Sequence, residues 1–211
     1  RDTLRKHGIA IKKVELYDPK KKQFENHIQQ LVNLEKSPNI EKDPETGEDP
    51  LIDLDPGFDV LLVIESGGNL KHITALLTYY GVDLPNVKLI GTGEWYEKNI
   101  GAEPGLMGAW FASPEPKLWE SFEKKFFNFF NYEPIRLSSL AYDSLTTTLK
   151  ILKNKKTEKF KFKDFQNSYG YVWIDGKFRF KSDGSVERNL AILEIGDKKF
   201  KIQKKPESKF F

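Results

Sequence analysis

The chain has 211 residues, 38% hydrophobic and 31% charged, which is the composition of an ordinary globular protein forming one large domain or two small ones. Its net charge of +3 comes from 34 basic residues, only five of them arginine, and with no Arg-rich or aromatic-basic platform in the sequence a nucleic-acid partner is not expected. There is no cysteine, hence no disulfide, thiol nucleophile or Cys-ligated metal, and no apolar run approaches the ~20 residues of a membrane span.

Taken in order, Leu4 to Gly8 reads as the tail of a helix with Gly8 as its C-terminal cap, and Ile9 to Leu16 as a strand ended by Tyr17-Asp18-Pro19. Because the chain opens inside a helix-like pattern with Arg1 and lacks a signal peptide, it reads as part of a longer precursor. A helix is predicted from about Lys22 to Leu34, with Phe24, Ile28, Leu31 and Val32 as its apolar face. From Glu35 to Asp55 the character changes, with eight acidic residues against two lysines and four prolines up to Pro56. This stretch reads as a long exposed loop. Asp43, Glu45, Asp53 and Asp55 miss the spacing of a calcium loop, so no metal is expected there.

The stretch from Phe58 to Trp95 is one βαβ unit. Val60 to Ile64 is apolar without alternation, as suits a strand covered on both faces, and Glu65-Ser66-Gly67-Gly68 stops it. Asn69 can cap a helix whose face is Leu70, Ile73, Leu77 and Tyr80, and Gly81 stands where a left-handed residue would close it. A second strand, Val87 to Ile90, runs into Gly91-Thr92-Gly93-Glu94-Trp95. Two parallel strands then end at neighbouring edges in glycine-bearing loops with a carboxylate, which is where open α/β sheets bind ligands. Tyr17, Glu65, Glu94 and Trp95 are expected on one rim.

Beyond Trp95 the strand and helix pattern loosens. Met107 to Ala112 is a short strand candidate, followed by a helix from about Lys117 to Asn131 with Trp119, Phe122, Phe126, Phe129 and Phe130 read as core. Residues 136 to 153 form another amphipathic helix through Leu137, Leu140, Ala141, Leu145, Leu149 and Leu152. Phe160 to Asn167 makes a helical turn or two. Gly176 to Phe180, Arg188 to Ile195 and Lys199 to Ile202 are strands joined by Ser182-Asp183-Gly184-Ser185 and Gly196-Asp197, turn chemistry of antiparallel hairpins. The fold class is α/β with an antiparallel appendix.

Catalytic constellations are absent from the sequence pattern. His7, His27 and His72 form no metal-ligand pair, no G-x-S-x-G elbow surrounds Ser66, and Gly91-Thr92-Gly93 lacks the third glycine of a dinucleotide fingerprint. Asp18, Glu65 and Glu94 could assemble for acid-base work, but receiving a ligand's ammonium or hydroxyl asks less of them. No enzyme activity and no cofactor are expected.

The succession LRKHGIAIKKVELYDP, FDVLLVIESGGNLKHITALLTYYGV, LIGTGEW, LMGAWFASPEP, RLSSLAYDSL and DGKFRFKSDGSVERNLAILEI resembles type I periplasmic binding proteins of the leucine/isoleucine/valine-binding group, closest to the branch described as penicillin-binding protein activators. The resemblance covers nearly the whole chain except residues 35–55. It implies two α/β lobes with a cleft between them. Residues 1–95 would be second-lobe sheet, 96–158 a crossing strand and first-lobe helices, and 159–211 a return to the second lobe ending in antiparallel strands. The first lobe's opening half would lie upstream, together with any lipid-anchoring cysteine.

The resemblance also implies function. The leading expectation is a non-enzymatic periplasmic receptor closing its lobes on a small polar solute such as an amino acid, as in ABC-transporter systems. Tyr17, Asp18, Ser66, Gly67, Gly68, Thr92, Gly93 and Trp95 would line the site, with Glu65 or Glu94 receiving a cation. The alternative is a periplasmic regulator that activates a cell-wall synthase by protein contact. The helices at 117–131 and 136–153 should flank a first-lobe sheet from upstream.

Overall fold

A computed structural model describes residues 2–32, 56–84, 86–153, 159–197 and 199–210. The acidic stretch, with the expectation of a metal-free loop, lies outside them. The chain divides into two compact units, Arg1–Trp110 and Phe111–Phe211.

The first unit holds helices α1 (Asp2–Lys6) and α2 (Phe24–Leu31), strand β1 (Val60–Leu62), helix α3 (Gly67–Tyr79) and strand β2 (Lys88–Gly91). Gly8, at φ 73°, closes α1 as its position suggests. All four apolar residues of the α2 face, Phe24, Ile28, Leu31 and Val32, are buried. Phe24 meets His72 of α3 edge-on at 5.5 Å, so the two helices share one core. β1 and β2 pair in parallel, Val60 opposite Lys88 and Leu62 opposite Ile90, around the crossover α3. Leu70, Ile73 and Leu77 form the buried stripe of α3, and Gly81 at φ 77° ends it.

Three expectations in this unit fail. Ile9 to Leu16 forms no strand, and its alternate apolar side chains Ile9, Ile11, Val14 and Leu16 are exposed, because extended backbone becomes a strand only where a ladder receives it. β1 is not covered on both faces: Val63 is buried while the alternate residues Val60, Leu62 and Ile64 are open, so one face of this stretch has no layer packed on it among the described residues. Helix α3 begins two residues before the expected cap, with extended Ser66 as N-cap, since glycines 67 and 68 can enter the first turn once the strand has stopped.

The second unit contains β3 (Trp110–Ser113), α4 (Pro116–Phe130), α5 (Ser138–Lys153) and five further strands, β4 (Tyr171–Trp173), β5 (Gly176–Phe180), β6 (Val186–Asn189), β7 (Ala191–Ile195) and β8 (Phe200–Lys204). β4, β5 and β6 make an antiparallel meander, with Phe178 opposite Tyr171 on one side and Arg188 on the other. β7 lies between β3 and antiparallel β8. The stretch read as one strand from Arg188 to Ile195 is thus split at Leu190 and serves two sheets.

Helix α4 spans its expected range and ends on Asn131 in the left-handed region at φ 60°. Of its aromatic stripe only Trp119 and Phe122 are buried, whereas Phe129 is 82% exposed. In α5 the expected face is inverted. Leu137, Leu140, Ala141, Leu145, Leu149 and Leu152 face solvent, and the buried stripe is Ser139, Asp143, Thr147 and Ile151 at i, i+4 spacing. That stripe is buried because it bonds the β4–β5 turn. Asp143 accepts from the backbone N–H groups of Ile174 at 3.0 Å and Asp175 at 2.9 Å, and Thr147 accepts from Trp173 Nε1 at 2.9 Å. Asp175 in turn receives Arg136 Nη1 at 2.7 Å and Ser139 Oγ at 2.9 Å.

Candidate functional site

The predicted rim lies in the first unit. After β1 the chain turns into α3 at Ser66, the extended N-cap, with Gly67 at φ 56°, and β2 ends at Gly91 because residues 93–95 wind into a single 3₁₀ turn. Thr92 caps that turn, its Oγ1 accepting from Glu94 N at 3.4 Å. The turn drives the Trp95 indole inward until it is wholly buried against Gly91, where a β-carbon would lie 2.1 Å from the ring. Only glycine fits there.

Trp95 is the stitch between the two strand ends. Its Nε1 donates to the Glu65 carbonyl at 2.7 Å, joining the loop after β2 to the loop after β1. The Glu65 carboxylate is engaged as well: Asn69 Nδ2 donates to Oε2 at 3.3 Å, and the Tyr17 hydroxyl is hydrogen-bonded to it. Tyr17 is pushed up to about 12, first by burial and then by the negative charge of Glu65 and the hydrogen bond with it, so the phenol stays protonated as a donor. Tyr17, Glu65 and Trp95 therefore form one contiguous group, with Asn69 as its fourth member. Glu94 follows in the same turn, exposed, and Asp18 follows Tyr17, its Oδ1 accepting from Lys20 N at 3.0 Å.

Two chemistries meet at this edge. At the start of α3 the N–H groups of Gly67 and Gly68 precede the first intrahelical donor, Leu70 N to Ser66 O at 3.3 Å, and suit a carboxylate or hydroxyl oxygen. The carboxylates of Asp18 and Glu94 suit an ammonium. Beside Tyr17, a shallow depression of about 350 Å³ is lined by Leu16, Tyr17, Asp18, Lys21, Gln23 and His27. His27 Nδ1 lies 3.5 Å from Glu15 Oε2, and its ring sits 5.9 Å from that of Tyr17. No group of three or more His, Asp or Glu side chains with metal-holding geometry occurs among the described residues.

The residues named from the sequence for this rim do not include Lys21, Gln23 or His27, and Asn69 was named there only as a helix cap. Asn69 was legible, since it stands four residues after Glu65 at the spacing that brings side chains together on a helical turn. His27 was not, because its neighbour Tyr17 comes from a segment without regular structure.

No family model matches the chain, and no curated protein matches it. Solved structures do. A solute-binding protein of an ABC transporter from R. palustris, in complex with benzoate, superposes with a TM-score of 0.59 at 14% identity over 97% of this chain and 53% of that one. A protein described as a branched-chain amino acid ABC transporter from Rhodospirillum rubrum gives 0.59 at 13% identity over 70% and 45%. An ABC transporter substrate-binding protein from Desulfitobacterium hafniense gives 0.56 at 16% over 95% and 54%. The chain therefore has the type I periplasmic-binding-protein fold and spans about half the length of these proteins.

Proposed function

We propose that the chain is the ligand-facing part of a non-catalytic, extracytoplasmic solute receptor that captures a small zwitterion such as an amino acid. The observation that carries this reading is the stitched rim, in which Trp95 bonds the Glu65 carbonyl and Tyr17 meets the Glu65 carboxylate, while Asp18 and exposed Glu94 follow Tyr17 and precede Trp95 in the chain. Glu65 is committed to Tyr17 and Asn69, so it shapes the rim, and Glu94 with Asp18 receives the ammonium. Ser66, Gly67, Gly68, Thr92 and Gly93 supply polar contacts to the carboxylate. The likeness to ABC-transporter binding proteins supports a receptor that works by closing lobes in the periplasm.

The exposed faces of α4 and α5 call for a cover, and an upstream segment of the same protein supplies it in this reading. The same faces are what favours the second reading, a regulator that presents them to a cell-wall synthase.

Thermal melting of the protein as expressed from its gene, with each proteinogenic L-amino acid in turn, separates the two. A receptor gains stability with one or a few of them by mass action, and Glu94→Gln diminishes the gain without lowering the unliganded midpoint. An unchanged midpoint with every amino acid removes the zwitterion reading and leaves the regulator.

A further inference from the structure

Lysine and phenylalanine alternate from Lys159 to Lys163, and Asp164-Phe165 follow. Such alternation suits an edge strand whose rings pack inward while its lysines keep other chains away. Here the rings do not pack inward. Residues Phe162–Asp164 wind into a 3₁₀ turn, in which Lys161 N donates to Asp164 Oδ2 at 2.7 Å and Phe165 N to the Phe162 carbonyl at 3.0 Å. Of the three phenylalanines only Phe165 joins the core, packed against the cluster of Ile151, Tyr171 and Phe178. Its ring lies 5.9 Å from that of Phe180, and its carbonyl accepts from the Tyr171 hydroxyl at 3.1 Å. Phe160 rests against Phe165 at 5.8 Å, yet both Phe160 and Phe162 stay exposed.

A second turn presents a further ring. Asn167 Oδ1 accepts from Tyr169 N at 3.0 Å and Asn167 Nδ2 donates to the Gly170 carbonyl at 3.0 Å, and the Tyr169 side chain between them is 84% exposed. Lysines accompany these rings. Lys159, Lys161 and Lys163 alternate with the phenylalanines, and Lys150 of α5 stands 5.3 Å over the Trp173 ring and 6.0 Å over that of Tyr171, the residue that holds Phe165. The described residues of 150–172 carry five lysines and one acid, Asp164, which is more positive charge than the +3 of the whole chain. No arginine is among them. Protein interfaces favour arginine and deplete lysine, whereas an anionic bilayer attracts lysine and takes aromatic rings into its headgroup layer.

We propose that the two turns within residues 159–170 form a docking surface for a bilayer with anionic headgroups, into which Phe160, Phe162 and Tyr169 enter while the lysines meet lipid phosphates. Both turns are closed by their own hydrogen bonds, so the rings are presented without a segment having to order first. The rings stand on turns and not side by side on a sheet face, which is where bases would stack. The contact is reversible: a few rings and charges fall short of an anchor, and act by orienting the protein at a membrane surface. The inference needs no solute and stands or falls separately from the solute reading.

Cosedimentation of the protein, as expressed from its gene, with vesicles of phosphatidylcholine alone or mixed with phosphatidylglycerol tests it. The anionic vesicles bind roughly tenfold or more tightly than the neutral ones, and added salt narrows the difference. Phe160→Ser with Phe162→Ser, and separately Lys161→Ala with Lys163→Ala, each weaken binding to the anionic vesicles on the order of tenfold. The melting midpoint stays unchanged in both pairs, because these side chains are exposed. Should the serine pair lower it, Phe160→Trp with Phe162→Trp decides instead: it keeps or strengthens binding, and a loss overturns the proposal. Equal binding to neutral and anionic vesicles, or no loss in either pair, also overturns it. So does a loss in one pair alone, since a surface read only by charge fits any polyanion and one read only by rings fits any apolar partner.

Discussion

Gly91 is the residue on which the rim depends most directly. Its missing side chain makes room for the Trp95 ring, and a β-carbon 2.1 Å from that ring would force the indole, the 3₁₀ turn, or both to move. Gly91→Ala should cost on the order of 1–3 kcal/mol, the usual penalty of overpacking a tight site. Urea unfolding should show it as a lower midpoint with an unchanged slope. Tyr17 gives a second expectation. In the unfolded chain its phenol ionises near pH ~10, whereas burial and Glu65 hold it at about 12 in the fold. The folded form therefore keeps its proton longer, so the stability it contributes is complete below the unfolded value and is lost as pH rises from there to about 12. A difference titration of phenolate absorbance between the protein and Tyr17→Phe should place the midpoint near the upper value, and Glu65→Gln should bring it down. A midpoint at the ordinary phenol value would deny the contact. The glycines and carboxylates of the rim were legible as residue types at strand ends. The inward turn of Trp95 was not, because it follows from how residues 93–95 wind.

At the scale of the element, α5 teaches the most about reading faces. Its leucines recur at helical spacing and read as a core stripe, yet the helix buries Ser139, Asp143 and Thr147 instead. Periodicity reports which faces differ; it does not report which of them has a partner within the same piece of chain. The polar stripe is buried because each group meets a complement: two backbone N–H groups for Asp143, the indole of Trp173 for Thr147, Asp175 and Arg136 for Ser139. Arg136 also lays its guanidinium 4.5 Å over the Trp119 ring, tying the start of α5 to α4. Burial pushes the Asp143 carboxyl above the usual range, against the two N–H bonds that pull it down. Asp143→Ala leaves both N–H groups without an acceptor, at about 1–3 kcal/mol for a buried group so stranded. Leu145→Ala, on the exposed side, should stay within about 0.5 kcal/mol. Chemical denaturation of the two variants side by side decides between the faces, since the reverse order of stability would restore the leucines as core.

The whole molecule repeats this lesson. The βαβ unit, the α4 boundary and the antiparallel ending were legible because each is specified locally, by a run of apolar residues, a cap or a turn. What was not legible depends on a distant partner: the absence of a strand at Ile9–Leu16, the split of residues 186–195 between two sheets, and the outward leucines of α5. The exposed faces of α4 and α5 carry the final prediction. Phe129 is 82% exposed and Leu145 60%, with Phe127, Phe130, Leu137 and Leu149 also open. Burying one such side chain is worth about 1.5–3 kcal/mol, so several together equal a domain's ordinary margin of ~5–15 kcal/mol. If an upstream segment covers these faces, as we propose, the present residues alone should bind a hydrophobic dye strongly. Replacing Leu145 and Leu149 together by lysine should then reduce dye fluorescence while changing the unfolding free energy of this piece by less than about 1 kcal/mol, twice the span of an ordinary surface change. In the longer protein the same pair should destabilise by several kcal/mol, because two buried methyl-rich side chains become buried charges. Equal and small effects in both forms would mean that nothing upstream packs on α5.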